Sequence, residues 1–207
     1  MTERGTAVTT QAELEEILGV AQGPAATKVR QQLGEHSRGW LAAASLAFIA
    51  TSDADGNLDV SPKGDPAGFV TVLDDATIAI PERPGNRRGD GFHNILRDPH
   101  IGLIFLIPGR GDTLRINGRA TIVSDAPFFD DMVVKGHRPA LALVVDIDEV
   151  FFHCSKAFLR SKAWEPSEWQ PTAVARRAVI AQSLERPDES LEQLDEYYGP
   201  KYADKIY

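Results

Sequence analysis

The sequence contains a single cysteine and no long apolar segment. Cys154 is the only cysteine among 207 residues, so an intrachain disulfide or a multi-cysteine metal site cannot form. No apolar run approaches the roughly 20 residues that a membrane helix needs, and the segment MTERGTAVTTQAELEEIL lacks the apolar core of a signal peptide. These absences predict a cytoplasmic protein with no membrane partner, because a reducing compartment suits a chain without disulfides.

Basic residues are also in the minority. The chain has 22 Lys+Arg against 30 Asp+Glu, which gives a formal net charge of −8. Binding to nucleic acid is driven by neutralising many phosphates at once, so we expect no nucleic-acid partner. The hydrophobic content of 43% and the charged content of 25% are ordinary for a globular domain.

Several common site motifs are absent as well. The sequence has no GxGxxG after a strand, no GxxxxGK[ST] and no GxSxG, which disfavours a Rossmann dinucleotide site, a P-loop and an α/β-hydrolase. The alternating acidic residues between 53 and 59 resemble a calcium loop, but Leu58 and Gly64 stand where that loop needs glycine and glutamate. We therefore predict a hairpin turn at this position and no metal site.

Short apolar runs separated by turn residues predict six or seven strands joined mainly by hairpins. The strands are expected at SLAFIATS, LDVSPKG, FVTVL, TIAI, HIGLIFLI, TLRINGRATIVS and LALVVDIDEVFFH, with a bulge at Gly118. Helices are expected at 12–19, capped by Thr10 and ended by Gly19, at 25–33, ended by Gly34, and at GFHNILR, PFFDDMVV and SKAFLRSKAW, the last capped by Ser155. This pattern predicts an antiparallel barrel or sandwich with added helices.

Arginines cluster in the segment PERPGNRR. Arg83, Arg87 and Arg88 lie within six residues of this segment, whose two prolines and one glycine exclude a regular helix or central strand over Pro81–Gly85. A rigid turn with three guanidinium groups suits a phosphate-bearing small molecule, because arginine presents a planar fork of donors. Asn86 can cap the following helix or bind the phosphate itself. Solvated arginines without a function are the alternative, which the rigid turn between strand and helix disfavours.

Two further segments contain candidate site residues. In TLRING, alternation puts Thr113 and Arg115 on one strand face and Leu114 on the other, so the polar face lines either solvent or a site. His153 and Cys154 are adjacent, but one cysteine without further ligands at metal spacing is weak evidence for zinc. We interpret Cys154 as a small buried hydrophobic residue at the end of an apolar strand.

The order of these segments resembles the pyridoxamine 5′-phosphate oxidase-like flavoproteins. The resemblance is carried by a hairpin, SPKG, a strand pair, the GNRR turn, a short helix, Asp-Pro, an apolar strand, TLRINGRA and HCSKAFLRSKAW, and it covers about residues 40 to 164. It implies a mainly β fold with flanking helices, an antiparallel six-stranded split β-barrel. The barrel is expected over 41–164, between an N-terminal helical extension at 1–40 and a C-terminal helical or irregular extension at 165–207.

The resemblance also implies a cofactor, FMN, bound at the interface of a homodimer by an FMN-dependent oxidoreductase. The flavin contacts that it implies are, in chain order, Val60, Ser61, Pro62 and Lys63, then a phosphate clamp of Asn86, Arg87 and Arg88, then Thr113, Leu114 and Arg115 near the ring. Trp164 is expected either to cover the flavin ring or to cap the barrel.

Three departures from the family pattern bear on the substrate. Thr113 stands where the family has glutamine, and the spacing from Arg88 to the Asp-Pro pair is longer than in the true oxidases. The C-terminal Arg/His pattern that grips pyridoxal phosphate has no counterpart, which favours a small-molecule substrate other than pyridoxamine phosphate. The alternatives are a non-catalytic flavin-binding protein, or the same barrel with deazaflavin or heme, for which His93 or His153 offers an axial ligand.

Overall fold

Three helices precede the sheet. The computed structural model of the chain describes residues 5–207 apart from the side chain of Lys205, so the first four residues of the predicted N-terminal extension lie outside the described part. The helices are α1 (Gln11–Leu18), α2 (Pro24–Thr27) and α3 (Glu35–Ala43). As predicted, the Thr10 side chain caps α1 by accepting the Glu13 N–H, and Gly19 ends it.

The prediction of one helix over 25–33 is wrong. Helix α2 ends at Thr27, and Gly34, expected to end this helix, is the N-cap residue of α3. The reason is a tertiary contact: Arg30 pairs with Val150 through two backbone hydrogen bonds of 3.0 and 2.7 Å, which pulls the segment out of helical geometry. The following helix α3 was not predicted, and it buries Trp40 and Leu41 against the sheet.

Seven strands form a single antiparallel sheet. They are β1 (Leu46–Ser52), β2 (Leu58–Gly64), β3 (Thr71–Val72), β4 (Thr77–Pro81), β5 (His100–Leu106), β6 (Thr113–Val123) and β7 (Ala142–His153), in the order β2-β1-β5-β6-β7-β4-β3. This confirms the predicted mainly β fold with flanking helices. The described strands number seven rather than six, because the two-residue β3 pairs with the outer edge of β4.

Further helices lie between and after the strands. These are α4 (Asp90–Ile95), α5 (Lys156–Ser161), α6 (Arg177–Leu184) and α7 (Leu191–Tyr197), with short 3₁₀ segments at Pro127–Met132, Pro166–Glu168 and Pro200–Lys205. Ser155 precedes α5 as predicted, but its side chain makes no capping hydrogen bond. Within residues 5–207, no helix is long and apolar enough to cross a membrane.

The sheet has a buried face and an outer face. Ala47, Ile49, Leu103 and Phe105 point into the core from β1 and β5. The register of β6 against β7 shifts between Asn117 and Gly118, which is the bulge that the sequence predicts.

Side chains, not backbone hydrogen bonds, bridge the gap between β2 and β4, which we call the seam of the barrel. Strands β2 and β4 are not neighbours in the described sheet. Lys63, near the end of β2, pairs with Glu82, which directly follows β4, and Asp65, which directly follows β2, pairs with Arg83. These ion pairs hold the two strand ends near each other, and the candidate site lies in the opening between them.

Candidate functional site

A cavity of about 370 Å³ lies in the seam between β2 and β4. Strand β2 forms one wall, the segment that follows β4 forms the second, and helix α4 forms the third. Apolar side chains and polar ones share the lining, which includes Ile49, Ser61, Lys63, Phe69, Arg83 and Phe92. Its size and mixed lining are typical of a small-molecule site.

Strand β2 presents different residues to its two faces. Ser61 pairs with the core-facing Ile49, so Ser61 and its neighbour Lys63 point into the cavity, and Pro62 also lines it. Val60 points the other way and is 62% exposed. Three of the four residues predicted on this strand therefore line the cavity, and Val60 lies on the outer face.

The arginine-rich turn divides its side chains between two spaces. The Asn86 side-chain oxygen accepts the backbone N–H of Arg88 at 3.0 Å, and the intervening Arg87 takes a left-handed φ of 61°. Asn86 and Arg88 consequently line the seam cavity. Arg87 lines only a neighbouring cleft of about 440 Å³, which Asn86 and Arg88 also border and which includes His93 and His137.

Each cation in the cavity wall has a carboxylate partner. Lys63 pairs with Glu82, and the exposed Arg88 side chain pairs with Asp90 at 2.7 Å. The hydrogen bond that Arg88 Nε donates to Asp90 raises the pKa of Arg88, so that guanidinium stays charged. The side chains of Lys63 and Arg83 are 19% and 13% exposed, far less than the 72% of Arg88.

The Arg83 side chain is largely enclosed, and one of its hydrogen-bond donors has no partner among the described residues. Its Nε donates to Asp65 Oδ2 at 2.5 Å, and one terminal nitrogen donates to the Met132 carbonyl oxygen at 2.8 Å. The side chains of Arg83 and Asp65 are only 13% and 2% exposed. The other terminal nitrogen, Nη1, is buried and has no hydrogen-bond partner among the described residues. A buried unpaired donor is costly, and a ligand acceptor that reached Nη1 from the cavity, which the residue lines, would remove that cost.

Arg83 was recognised as part of the arginine-rich turn, but it was not predicted to be a binding residue. The sequence feature that could have identified Arg83 as a site residue is its position in the loop that follows the strand predicted at TIAI, because binding residues often lie on loops. Glu82 and Asp65 were missed because their role depends on the strand pairing across the seam, which no local pattern encodes.

The predicted residues of β6 do not reach the cavity within one chain. Strands β1 and β5 separate β6 from β2. Thr113 and Leu114 are buried, and Leu114 belongs to the core. Arg115 lies on the outer face, with its Cζ 5.2 Å from the Phe151 ring centroid, and its Nε is buried without a partner among the described residues.

Trp164 lies away from the cavity in the same chain. Its indole N–H donates to the Arg110 carbonyl oxygen at 2.7 Å, and its ring stacks on Phe158 with centroids 5.7 Å apart. It therefore packs against the hairpin that joins β5 to β6.

The interpretation of Cys154 as a buried residue is wrong. The thiol is exposed, because Cys154 follows directly after β7 ends at His153, where the chain leaves the sheet. Across the part of the chain that the structure describes, no group of three or more His, Cys, Asp or Glu side chains is placed to hold a metal ion.

Comparison with known proteins identifies the family. The sequence profile described as pyridoxamine 5′-phosphate oxidase matches residues 33–154, which is more than half of the chain. The chain therefore belongs to the pyridoxamine 5′-phosphate oxidase family. A search of curated protein sequences found no match.

Several solved structures have a similar chain path over part of the molecule. A proposed pyridoxamine 5′-phosphate oxidase from Lactobacillus delbrueckii is 27% identical, with 60% of this chain and 99% of that chain covered and a TM-score of 0.47. HupZ from Group A Streptococcus is 19% identical over 58% of this chain and 93% of its own, also at 0.47. An FMN-binding protein from Syntrophomonas wolfei is 13% identical over 56% and 88%, at 0.42.

Proposed function

We propose that this protein is an FMN-dependent oxidoreductase of the pyridoxamine-phosphate-oxidase-like class. Its substrate is a small molecule other than pyridoxamine phosphate, and it acts in the cytoplasm. The observation that carries the proposal is the seam cavity, which is lined by three cations, Lys63, Arg88 and an Arg83 that has one unpaired donor. Family membership supports it independently.

The residues of the cavity suit the phosphate of FMN. Arg83 can donate through Nη1 without leaving Asp65, because its other contacts use different nitrogens. The Arg88–Asp90 pair is exposed, and exposed ion pairs contribute little net stability because water and salt screen them. Arg88 can therefore exchange Asp90 for a phosphate at small cost, and gain charge-assisted hydrogen bonds that are stronger than neutral ones.

The same cavity offers an apolar surface for the rest of the cofactor. Ile49, Phe69, Phe92 and Leu143 line it beside the polar groups. Lys63 lies 5.3 Å from the Phe92 ring centroid and is thereby kept at the wall. Bound FMN supplies the electron chemistry, and the chain binds it, orients it and shields it from water. We assign no general acid or base.

We propose that the protein is a homodimer with the flavin at its interface. Apolar side chains on the outer sheet face support this, since Phe48 pairs with Ile104, and both are more than a third exposed, as is the neighbouring Val60. Arg115 lies on this face with an unpaired buried Nε. A second copy seated here would cover the apolar face and bring Thr113, Arg115 and Trp164 of one protomer toward the cavity of the other.

The first test is the visible spectrum and an FMN titration. We expect a yellow protein, and we expect Arg88→Ala to weaken FMN binding by about tenfold or more, the effect of losing a charge-assisted hydrogen bond. Arg87→Ala should weaken it less, because Arg87 faces the neighbouring cleft, and the double variant should lose the flavin. Arg97→Ala is the matched control, as Arg97 is exposed and lies outside the cavity lining.

A colourless protein that takes up no added FMN would contradict the proposal. The absorption spectrum also separates FMN from the alternatives of deazaflavin and heme. A non-catalytic flavin carrier is distinguished by kinetics: the enzyme's flavin should be reduced by NADH or NADPH and reoxidised by an acceptor over many turnovers, whereas a carrier's flavin should not.

A further inference from the structure

The segment after α7 returns to the seam of the barrel. It passes through the 3₁₀ turn Pro200–Lys205, after which the Tyr207 hydroxyl donates a hydrogen bond to Asp65 Oδ1. The Tyr207 ring stacks on His137 with centroids 6.2 Å apart and an interplanar angle of 26°. Two cations flank the ring, with Lys135 Nζ at 5.2 Å and Arg83 Cζ at 5.8 Å from its centroid. Four residues from three separate loops thus enclose one side chain.

The hydroxyl of Tyr207 completes the surroundings of a buried carboxylate. Asp65 is 2% exposed, and its two oxygens receive one donor each, Oδ2 from Arg83 and Oδ1 from Tyr207. A buried carboxylate that loses a donor is destabilised, because water cannot replace the bond. The position of Asp65, and with it the orientation of the Arg83 guanidinium, therefore depends on Tyr207. The same bond raises the pKa of Tyr207, so the phenol stays protonated and donating at neutral pH.

Tyr207 itself does not line the seam cavity, whereas Asp65 and Arg83 do. We propose that Tyr207 is a positioning residue of the proposed anion-binding wall: it holds Asp65, Asp65 holds the Nε side of Arg83, and the Arg83 guanidinium is thereby kept in the cavity wall. This inference rests on the proposed function, because the ligand is taken to be FMN.

The competing interpretation is that Tyr207 only fastens the C-terminal helices to the barrel. In that case its loss would loosen the segment 200–207 but leave FMN affinity unchanged. Positioning predicts a change in affinity instead, and it predicts reciprocity: if the docked tyrosine favours FMN, bound FMN must favour the docked tyrosine by the same factor.

The experiment uses the full chain, stripped of flavin, and titrates it with FMN by fluorescence quenching. Tyr207→Phe keeps the ring and removes the hydroxyl, and we expect the Kd to rise about tenfold, as for a lost hydrogen bond to a charged group. Tyr202→Phe is the matched control, since it makes the same change five residues earlier, in the 3₁₀ segment that leads to Tyr207, at a hydroxyl with no hydrogen bond to a described residue. Its Kd should stay within about twofold of the wild-type value.

Two further measurements test whether Tyr207 acts on FMN affinity through Asp65 and Arg83. In an Arg83→Lys background, adding Tyr207→Phe should change the Kd by less than about twofold, because the contact through which it acts is already gone. Hydrogen exchange of residues 200–207 should slow when FMN binds to the wild-type chain, and this slowing should be lost in Tyr207→Phe.

The outcomes separate this inference from the function on which it rests. A wild-type chain that binds no FMN overturns both. A wild-type chain that binds FMN while Tyr207→Phe binds it equally well overturns the positioning role alone. Equal effects of Tyr207→Phe with and without Arg83→Lys would also overturn it, since the tyrosine would then act by another path.

Discussion

At the scale of single residues, the proposed binding of an anion depends on where the donors of the cavity point more than on its net charge. Its lining has three basic side chains (Lys63, Arg83, Arg88) and four acidic ones (Asp59, Asp65, Glu82, Asp90), a formal charge of 3 − 4 = −1. Net charge therefore gives no long-range attraction for a phosphate. Affinity for a phosphate would have to come from hydrogen-bond donors in suitable positions. The unpaired donor of Arg83 is therefore more informative than the number of arginines in the turn.

A second residue-scale feature is the turn between β1 and β2. The Asp53 carboxylate accepts hydrogen bonds at 2.9 Å from the Asn57 side chain and from the backbone N–H groups of Asn57 and Asp55. These bonds, led by the Asn57 side chain, lower the pKa of Asp53 below its ordinary value of 3.8. The ionised carboxylate thus stabilises the folded chain above about pH 4, and that contribution is lost as the pH falls through the lowered pKa.

We expect Asp53→Ala to lower the melting temperature at pH 7 and to reduce the difference between the melting temperatures at pH 5 and pH 2. Thermal unfolding followed by circular dichroism across this range measures both effects. Asp55→Ala is the control, because the Asp55 side chain accepts no hydrogen bond from a described residue. An acid profile of Asp53→Ala identical to that of the wild-type chain would contradict the assignment.

At the scale of elements, β6 depends on a glycine at its bulge. A Cβ atom built on Gly118 would lie 2.1 Å from the Asp146 carbonyl oxygen of β7, a backbone atom that cannot move aside cheaply. We expect Gly118→Ala to lower the free energy of unfolding by about 3 kcal/mol or more. Urea denaturation of the folded chain measures this loss.

The control for that substitution lies on the neighbouring strand. In Gly102→Ala the new methyl would meet only Asn117 Oδ1 at 3.6 Å and Ala50 Cβ at 3.9 Å, which are ordinary contacts. Its stability should change by less than about 1 kcal/mol. Equal losses in the two variants would show that the bulge does not require glycine.

The elements differ in how well their sequences predict them. Strands β1, β2, β5 and β6 were predicted within a residue or two, because apolar runs between turn residues are local signals. Helix α3 was missed, since its sequence HSRGWLAA contains a glycine and has no capping side chain. Its helical state comes from the burial of Trp40, whose indole N–H donates to the Phe105 carbonyl oxygen at 3.1 Å, a contact 65 residues away.

The candidate site follows the same division. Ser61, Pro62, Lys63, Asn86 and Arg88 were predicted and line one cavity, because the strand and turn that hold them have strong local patterns. The pairing of Asp65 with Arg83, and the return of Tyr207 to the same carboxylate, join positions 18 and 142 residues apart. A single sequence contains no signal for such contacts.

At the scale of the whole molecule, the exposed apolar side chains on the outer sheet face are the reason we expect a homodimer. We expect Val60→Asp to convert a dimer to a monomer and to weaken FMN binding, because it puts a charge into the apolar surface that a second copy would cover. Light scattering coupled to size-exclusion chromatography measures the mass. Leu184→Asp, at an exposed position on α6, should leave the mass unchanged.

A wild-type chain that is monomeric at micromolar concentration would contradict the dimer. The flavin contacts assigned to Thr113, Leu114, Arg115 and Trp164 would then lose their basis, because within one chain these residues do not line the cavity.

The seam between β2 and β4 differs from the other contacts between strands in what holds it together. Everywhere else the strands are held at a fixed spacing by ladders of backbone hydrogen bonds, but here two ion pairs join the walls. Long side chains tolerate changes in spacing that a backbone ladder does not. We therefore expect substitutions at Lys63, Asp65, Glu82 or Arg83 to widen or narrow the opening without breaking any backbone hydrogen bond between strands. Members of this architecture could then accept ligands of different width while the hydrophobic core stays the same.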